Sequence, residues 1–191
     1  MEKIRCNWCV KTDIEQTYHD KEWGVPLRDD KTLFEYFVLD TSQAGLSWVT
    51  ILKKREGYRK AFADFEVEKV ARFTDKKVEK LLLNPAIVRN RLKVKATVTN
   101  AQNFIKVQKE FGTFSEYIWQ FTEGKTIQNA WKTMEEVPVT TPEAIVMSKD
   151  LKKRGFKFCG PTICYAFMQA AGMVNDHVVS CFRYQEILKM K

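Results

Sequence analysis

Proline and glycine punctuate the last third of the chain so regularly that few structures can accommodate it. Thr141-Pro142-Glu143 offers a side-chain cap followed by proline at the first helical position, and Gly155 falls where that helix should stop. Gly160-Pro161-Thr162 launches a second helix through ICYAFMQAA, and Gly172 ends it. The tight turn GFKFCGPT joins the two. Helical spacing of apolar residues also runs upstream. Asp29 and Asp30 are cap candidates ahead of an apolar run at 33–39, and a helix opening at Ser47 carries Trp48, Ile51, Leu52, Tyr58 and Phe62. Further helices are predicted at 66–72, 75–83 and 89–111, and the aromatic residues of 114–121 form a short buried segment. No alternating strand pattern of useful length interrupts them, so the fold class is all-α.

The 191 residues include 13 Phe, 6 Tyr and 5 Trp, ample apolar surface for a core. With 8 Gly and 5 Pro there is little room for linkers, and 1–191 reads as one compact unit. Lys and Arg total 32 against 24 Asp and Glu, a formal charge of +8. Such a surplus suits a polyanionic partner without establishing one. No apolar run resembles a signal peptide or approaches the ~20 residues of a membrane span, so a soluble, cytoplasmic protein without membrane partners is expected. In that reducing setting the cysteines at 6, 9, 159, 164 and 181 read as thiols or metal ligands.

Three constellations carry chemistry. The chain has 2 histidines, and each is matched with a cysteine: Cys6 with His19, His177 with Cys181. A His-x3-Cys spacing puts both ligands on one face of a helical turn, and two thiolates with two imidazoles satisfy tetrahedral zinc. Buried thiols beside hydrogen-bonded histidines are the plain alternative, and Cys6-x2-Cys9 is a rival redox or ligand pair. In the second constellation, Lys152, Lys153, Arg154 and Lys157 flank the glycine turn, making either a cradle for DNA phosphates or an ordinary helix connection with a solvated basic face. The third gathers Trp8, Tyr18, Trp23 and Trp48 with Asp40 and Gln43 in the N-terminal third. Aromatic faces can sandwich an extruded base while an acid and an amide read its edge; plain core packing is the other reading.

Cys6-x-Trp8, YHDKEWGVP at 18–26, QAGLSW at 43–48, LKKRGFKFCGPTICYAFMQA at 151–170 and NDHVVSC at 175–181 occur together and in order. With them the sequence closely resembles the 3-methyladenine DNA glycosylase I family. That resemblance implies an all-helical fold of the helix-hairpin-helix glycosylase superfamily, with the hairpin helices at about 142–171. It implies one structural zinc on Cys6, His19, His177 and Cys181, joining the two terminal segments. The family's base pocket maps onto Tyr18, Trp23 and Trp48, with Trp8 and Gln43 beside them. Gly45 and Leu46 fall in the loop brought to the damaged strand, while Arg154, Gly155, Lys157, Gly160 and Thr162 lie in the segment that grips the backbone. The implied reaction is glycosidic hydrolysis of 3-methyladenine in alkylated double-stranded DNA, by a monomer, leaving an abasic site. A lesion-binding protein without excision activity is the alternative. One departure stands out: the family's recognition acid is typically glutamate and this chain has Asp40, shorter in reach by roughly 1.5 Å. Asp176 is expected to support His177 as an outer carboxylate.

Overall fold

The computed structural model describes residues 3–190. α1 spans Asp13–Lys21, α2 Asp30–Gln43, α3 Trp48–Ala61, α4 Val67–Ala71, α5 Asp75–Leu82 and α6 Arg91–Phe111. α7 spans Phe114–Trp119, α8 Pro142–Lys153, α9 Pro161–Ala170 and α10 Phe182–Leu188. The one sheet among the described residues is a two-residue parallel pairing, β1 (Ile127–Gln128) with β2 (Val174–Asn175). The all-α expectation holds.

Punctuation acts where the sequence places it. Thr141 accepts from Ala144 N at the start of α8, Pro142 fills its first position, and Gly155 leaves it at a φ of +91°. Pro161 opens α9 and Gly172, at +69°, ends it. The two adjacent aspartates divide their labour. Asp29 caps α2 through Thr32 N at 2.8 Å, whereas Asp30 turns outward from α2 and accepts from Phe114 N and Ser115 N at the head of α7.

α2 is the centre of the molecule. Leu33 to Ser42 are all buried, and α3, α6, α7 and α9 pack around them. Phe37 meets Phe114, Phe156 and Phe167 edge-on, and Phe34 meets Phe104, with Phe104 stacked on Phe114 at 3.9 Å. A second, smaller cluster of Cys6, Tyr18, Trp23, Leu52, Val178 and Cys181 lies beside this core, and Trp48 packs against both.

Gly57 sits where α3 meets the 84–88 loop. A Cβ there would run into the Ala86 carbonyl and lie 2.7 Å from the Ala86 Cβ. Helix propensity favours alanine over glycine by about 1 kcal/mol, but overpacking against backbone costs about 1–3 kcal/mol and should win. Gly57→Ala is therefore expected to lower the urea unfolding midpoint. An unchanged or raised midpoint would mean that the loop yields freely.

Candidate base pocket and metal centre

Trp8, Tyr18, Trp23, Asp40, Gln43 and Trp48, all anticipated from sequence, line one cavity of about 240 Å³. Met134, Ala166, Gln169 and Ala170 complete it, residues that apolar spacing alone cannot tell from ordinary helix and loop positions. Trp8 meets Trp23 edge-on at 5.1 Å, and Tyr18 leans on Trp48 at 5.2 Å. The cavity is apolar in its walls and unsatisfied at its polar points. Trp8 Nε1, Trp48 Nε1 and Asp40 Oδ2 are buried without a hydrogen-bond partner among the described residues. Each such atom costs about 1–3 kcal/mol in the free protein, a cost that a ligand with matching groups removes. Burial pushes the Asp40 carboxyl well above the usual range, with no compensating cation.

Behind the pocket wall, one ligand atom each from Cys6, His19, His177 and Cys181 lies within 4.8 Å of the others, all four residues buried. Cys181 Sγ is 3.4 Å from His19 Nε2 and 3.6 Å from His177 Nδ1, and Cys6 Sγ is 3.8 Å from His177 Nδ1. A tetrahedron with zinc–sulfur and zinc–nitrogen bonds has edges of about 3.4–3.8 Å, so the donor set fits such an ion. The other ring nitrogens agree. His177 Nε2 donates to the Trp23 carbonyl at 3.1 Å, and His19 Nδ1 donates to Asp20 Oδ1 at 2.8 Å, leaving each imidazole a lone pair facing the sulfurs. The His177–Cys181 spacing is met by turns and not by the expected helical turn, because Cys181 stands just ahead of α10. Cys9 stands outside the cluster, its Sγ donating to the Cys6 carbonyl, and burial pushes its thiol up to about 12. That is the opposite of an activated redox thiol, and with Cys6 drawn into the four-residue cluster the geometry lends the Cys6–Cys9 redox reading no support.

The outer carboxylate is Asp20 and not Asp176. Against desolvation that would raise it, hydrogen bonds from Arg5 and His19 hold Asp20 below its ordinary value. Asp176 faces away from His177 and receives four donors: Asn129 Nδ2, Trp131 Nε1, Tyr165 OH and Gln169 Nε2, at 2.6–2.8 Å. It ties the 129–131 loop to α9, and through Gln169 to the pocket. Asp20 adjoins His19 in sequence, a signal that could have found it.

The turn between α8 and α9 is held from beneath. Asn100 on α6 accepts from Lys157 N at 2.7 Å and donates to Lys157 O, and Ser148 Oγ donates to the Cys159 carbonyl. This bracing holds Phe158 at a φ of +55°, uncommon for a bulky side chain. Lys152, Lys153, Lys157 and Thr162 are exposed, and Gly160 precedes α9 with no side chain capping its amides. Arg154 is placed differently from the sequence expectation. Its guanidinium pairs with Glu110 and Asp150 and covers the Phe111 and Tyr117 rings, which leaves little of its charge for a phosphate. Gly45 and Leu46 are exposed at the mouth of α2, Gly45 at a φ of +78° with open space around it.

An aromatic, acid-floored pocket beside a basic turn on a helical scaffold fits the class of DNA glycosylases. Residues 8–184 match the family described as methyladenine glycosylase. DNA-3-methyladenine glycosylase 1 of Escherichia coli (strain K12) is 45% identical over 180 residues, covering 94% of this chain and 96% of its own. The DNA-3-methyladenine glycosylase of Haemophilus influenzae is 45% identical over 177 residues, covering 93% and 96%. A crystal structure of 3-methyladenine DNA glycosylase I superposes with a TM-score of 0.92 at 43% identity, covering 94% of this chain and 98% of that one. A tyrosine-to-phenylalanine variant of such an enzyme, solved in complex with 3-methyladenine, superposes at 0.91 with 39% identity, covering 93% and 96%. This chain belongs to the methyladenine glycosylase family.

The two acids should separate cleanly. Asp176→Asn forces an amide among four donors and is expected to cost about 2–4 kcal/mol in denaturant unfolding without altering metal retention. Asp20→Asn should loosen metal about 10–100-fold in chelator competition. If Asp176→Asn released metal instead, the outer-carboxylate assignment would be reversed.

Proposed function

We propose that this chain is a monofunctional glycosylase of base excision repair, hydrolysing the N-glycosidic bond of 3-methyladenine in alkylated double-stranded DNA and leaving an abasic site. The observation that carries the reading is the cavity whose aromatic walls hold three unpartnered polar atoms, two indole N–H donors and one carboxylate oxygen. A purine alkylated at ring nitrogen 3 presents a cationic, planar face to those rings and polar edges to those atoms. Action as a monomer is part of this reading. Contacts across both hydrophobic clusters support a single unit over 1–191, and a DNA substrate supports a cytoplasmic setting; no described helix is long and apolar enough to cross a membrane.

The residues divide the work. Lys157, the amides of Gly160 and Thr162, and the N-terminus of α9 hold phosphates, Gly155 makes the turn that presents them, and Arg154 braces that turn through Asp150 and Glu110. Gly45 and Leu46 enter the duplex as the base leaves it. Trp8, Tyr18, Trp23 and Trp48 enclose the base, and Gln43 and Asp40 read its edge. The alkylated base is already a good leaving group: the C1′–N bond breaks with its electron pair going to the base, which departs neutral. Asp40 favours the positive charge present in the bound state, and water adds to the sugar with loss of a proton to solvent. Cys6, His19, His177 and Cys181 would hold one zinc, which would supply a cross-link between the terminal segments.

Incubation with methylated duplex DNA should release free 3-methyladenine, and Asp40→Asn should slow single-turnover excision by about 10²–10³-fold. Release no faster than spontaneous loss would leave lesion binding as the function. The same substitution has a pH signature. Because the folded-state pKa of Asp40 is raised, the group's contribution is fully present below the unfolded value and lost as pH rises through the folded one. Asp40→Asn should therefore gain melting temperature relative to the parent as pH rises from about 4 to 8. Chelation should lower the melting temperature by about 10 °C, with excision lost in step. Lost excision at an unchanged melting temperature and DNA affinity would contradict a structural zinc.

A further inference from the structure

Lys93 is a buried lysine with no carboxylate partner among the described residues. Its Nζ donates to the carbonyls of Ser42 at 2.8 Å and Ala44 at 2.5 Å. The position is doubly unfavourable, since burial penalises the ammonium and the first turn of α6 places a cation at the positive end of a helix. What offsets this is the far end of α2, whose last carbonyls lack helical partners and attract a cation. Burial accordingly lowers the amine's pKa without a charged group to restore it.

The two carbonyls bracket Gln43, whose side chain lines the pocket and whose carbonyl accepts from Leu46 N at 2.6 Å. One ammonium thus fixes the direction in which the amide enters the cavity and the direction in which Gly45 and Leu46 leave it. Asn100 lies seven residues further along α6, on the same face, and clasps the backbone of Lys157. α6 therefore holds the loop at the pocket mouth and the basic turn at a set separation, about 10 Å of helix apart.

We propose that Lys93 is a positioning residue for base extrusion, holding Gln43 and the Gly45–Leu46 loop in the orientation that takes an alkylated base out of a paired duplex. This rests on the excision reading. A residue that orients the entering loop matters most when a base must be displaced from its stack, and least when the base is already unpaired. A residue that merely supports the fold would slow both substrates alike.

The test is single-turnover excision of 3-methyladenine from a duplex with the lesion opposite thymine and from one with it opposite an abasic analogue. Lys93→Met should lose about tenfold or more in rate on the paired substrate and about threefold or less on the unpaired one, with little change in DNA affinity. Lys93→Arg keeps a cationic donor and should show the same selectivity with a smaller loss. Asn100→Ala should instead weaken binding to both duplexes. Equal losses of Lys93→Met on the two duplexes, or none, would overturn the proposal. If Lys93→Met does not fold, Lys93→Arg carries the test, and a uniform loss or no loss there overturns it equally. Wild-type protein inactive on both duplexes would instead sink the excision reading itself.

Discussion

A helix buried on every side dictates the arrangement of everything around it. α2 has ten consecutive buried residues, from Leu33 to Ser42, so no face can be left to solvent and other helices must cover it from several directions. That demand explains why α3, α6, α7 and α9 converge on it and why its ends carry so much polar bracing. Asp30 at one end caps another helix, and Lys93 at the other collects carbonyls that the helix cannot satisfy itself. Asp40 then occupies a rigid position deep in the core, where a mobile carboxylate would have found water.

The ligand cluster and the base pocket are two sides of the same wall. Trp8 stands two residues from Cys6, Tyr18 precedes His19, and the Trp23 carbonyl accepts from His177 while its ring packs 4.6 Å from that imidazole. A metal on the four ligand residues would cross-link segments that already meet in the smaller apolar cluster. Two buried indole N–H groups and a buried carboxyl oxygen disfavour a closed pocket in the free protein, and such a cross-link in the wall would offset that tendency.

What could be read from sequence follows from which force shapes each element. α8 and α9 were legible because Thr141, Pro142, Gly155, Pro161 and Gly172 act through backbone geometry alone, which local residues determine. α6 was legible within two residues for a similar reason, Asn90 capping it and Gly112 ending it. α1 was not anticipated. Its buried residues are Glu15, Tyr18 and His19, so it is held by the pocket and the ligand cluster and carries no apolar stripe. α10 carries no clear sequence signal either, being short and buried chiefly through Arg183 and Ile187. α2 runs four residues beyond the apolar run at its centre, because Asp40 to Gln43 are polar yet Asp40 and Gln43 line the site and Thr41 and Ser42 are buried between them. Lys93 reads as one more surface lysine, and only the fold reveals that it is buried. Arg154 reads as a free cation for the same reason, since Glu110 lies 44 residues away along the chain.

The rigidity of α2 also gives the shorter acid its meaning. A carboxylate on a loop could recover a missing methylene by a small backbone shift at little cost. Asp40 is locked by packing on all sides of its helix, with Thr41 and Ser42 buried beside it, so its Oδ2 cannot advance toward the cavity without moving the core. On the reading that Asp40 faces the base, the difference of roughly 1.5 Å would appear there, as an ordered water between acid and purine edge or as a purine seated deeper among the rings. A cationic base would favour the ionised acid across that distance, because Coulomb attraction is strong in low-dielectric surroundings. Hydrogen-bond selectivity, which decays more steeply with distance than Coulomb attraction, is the property that the shorter acid would relax.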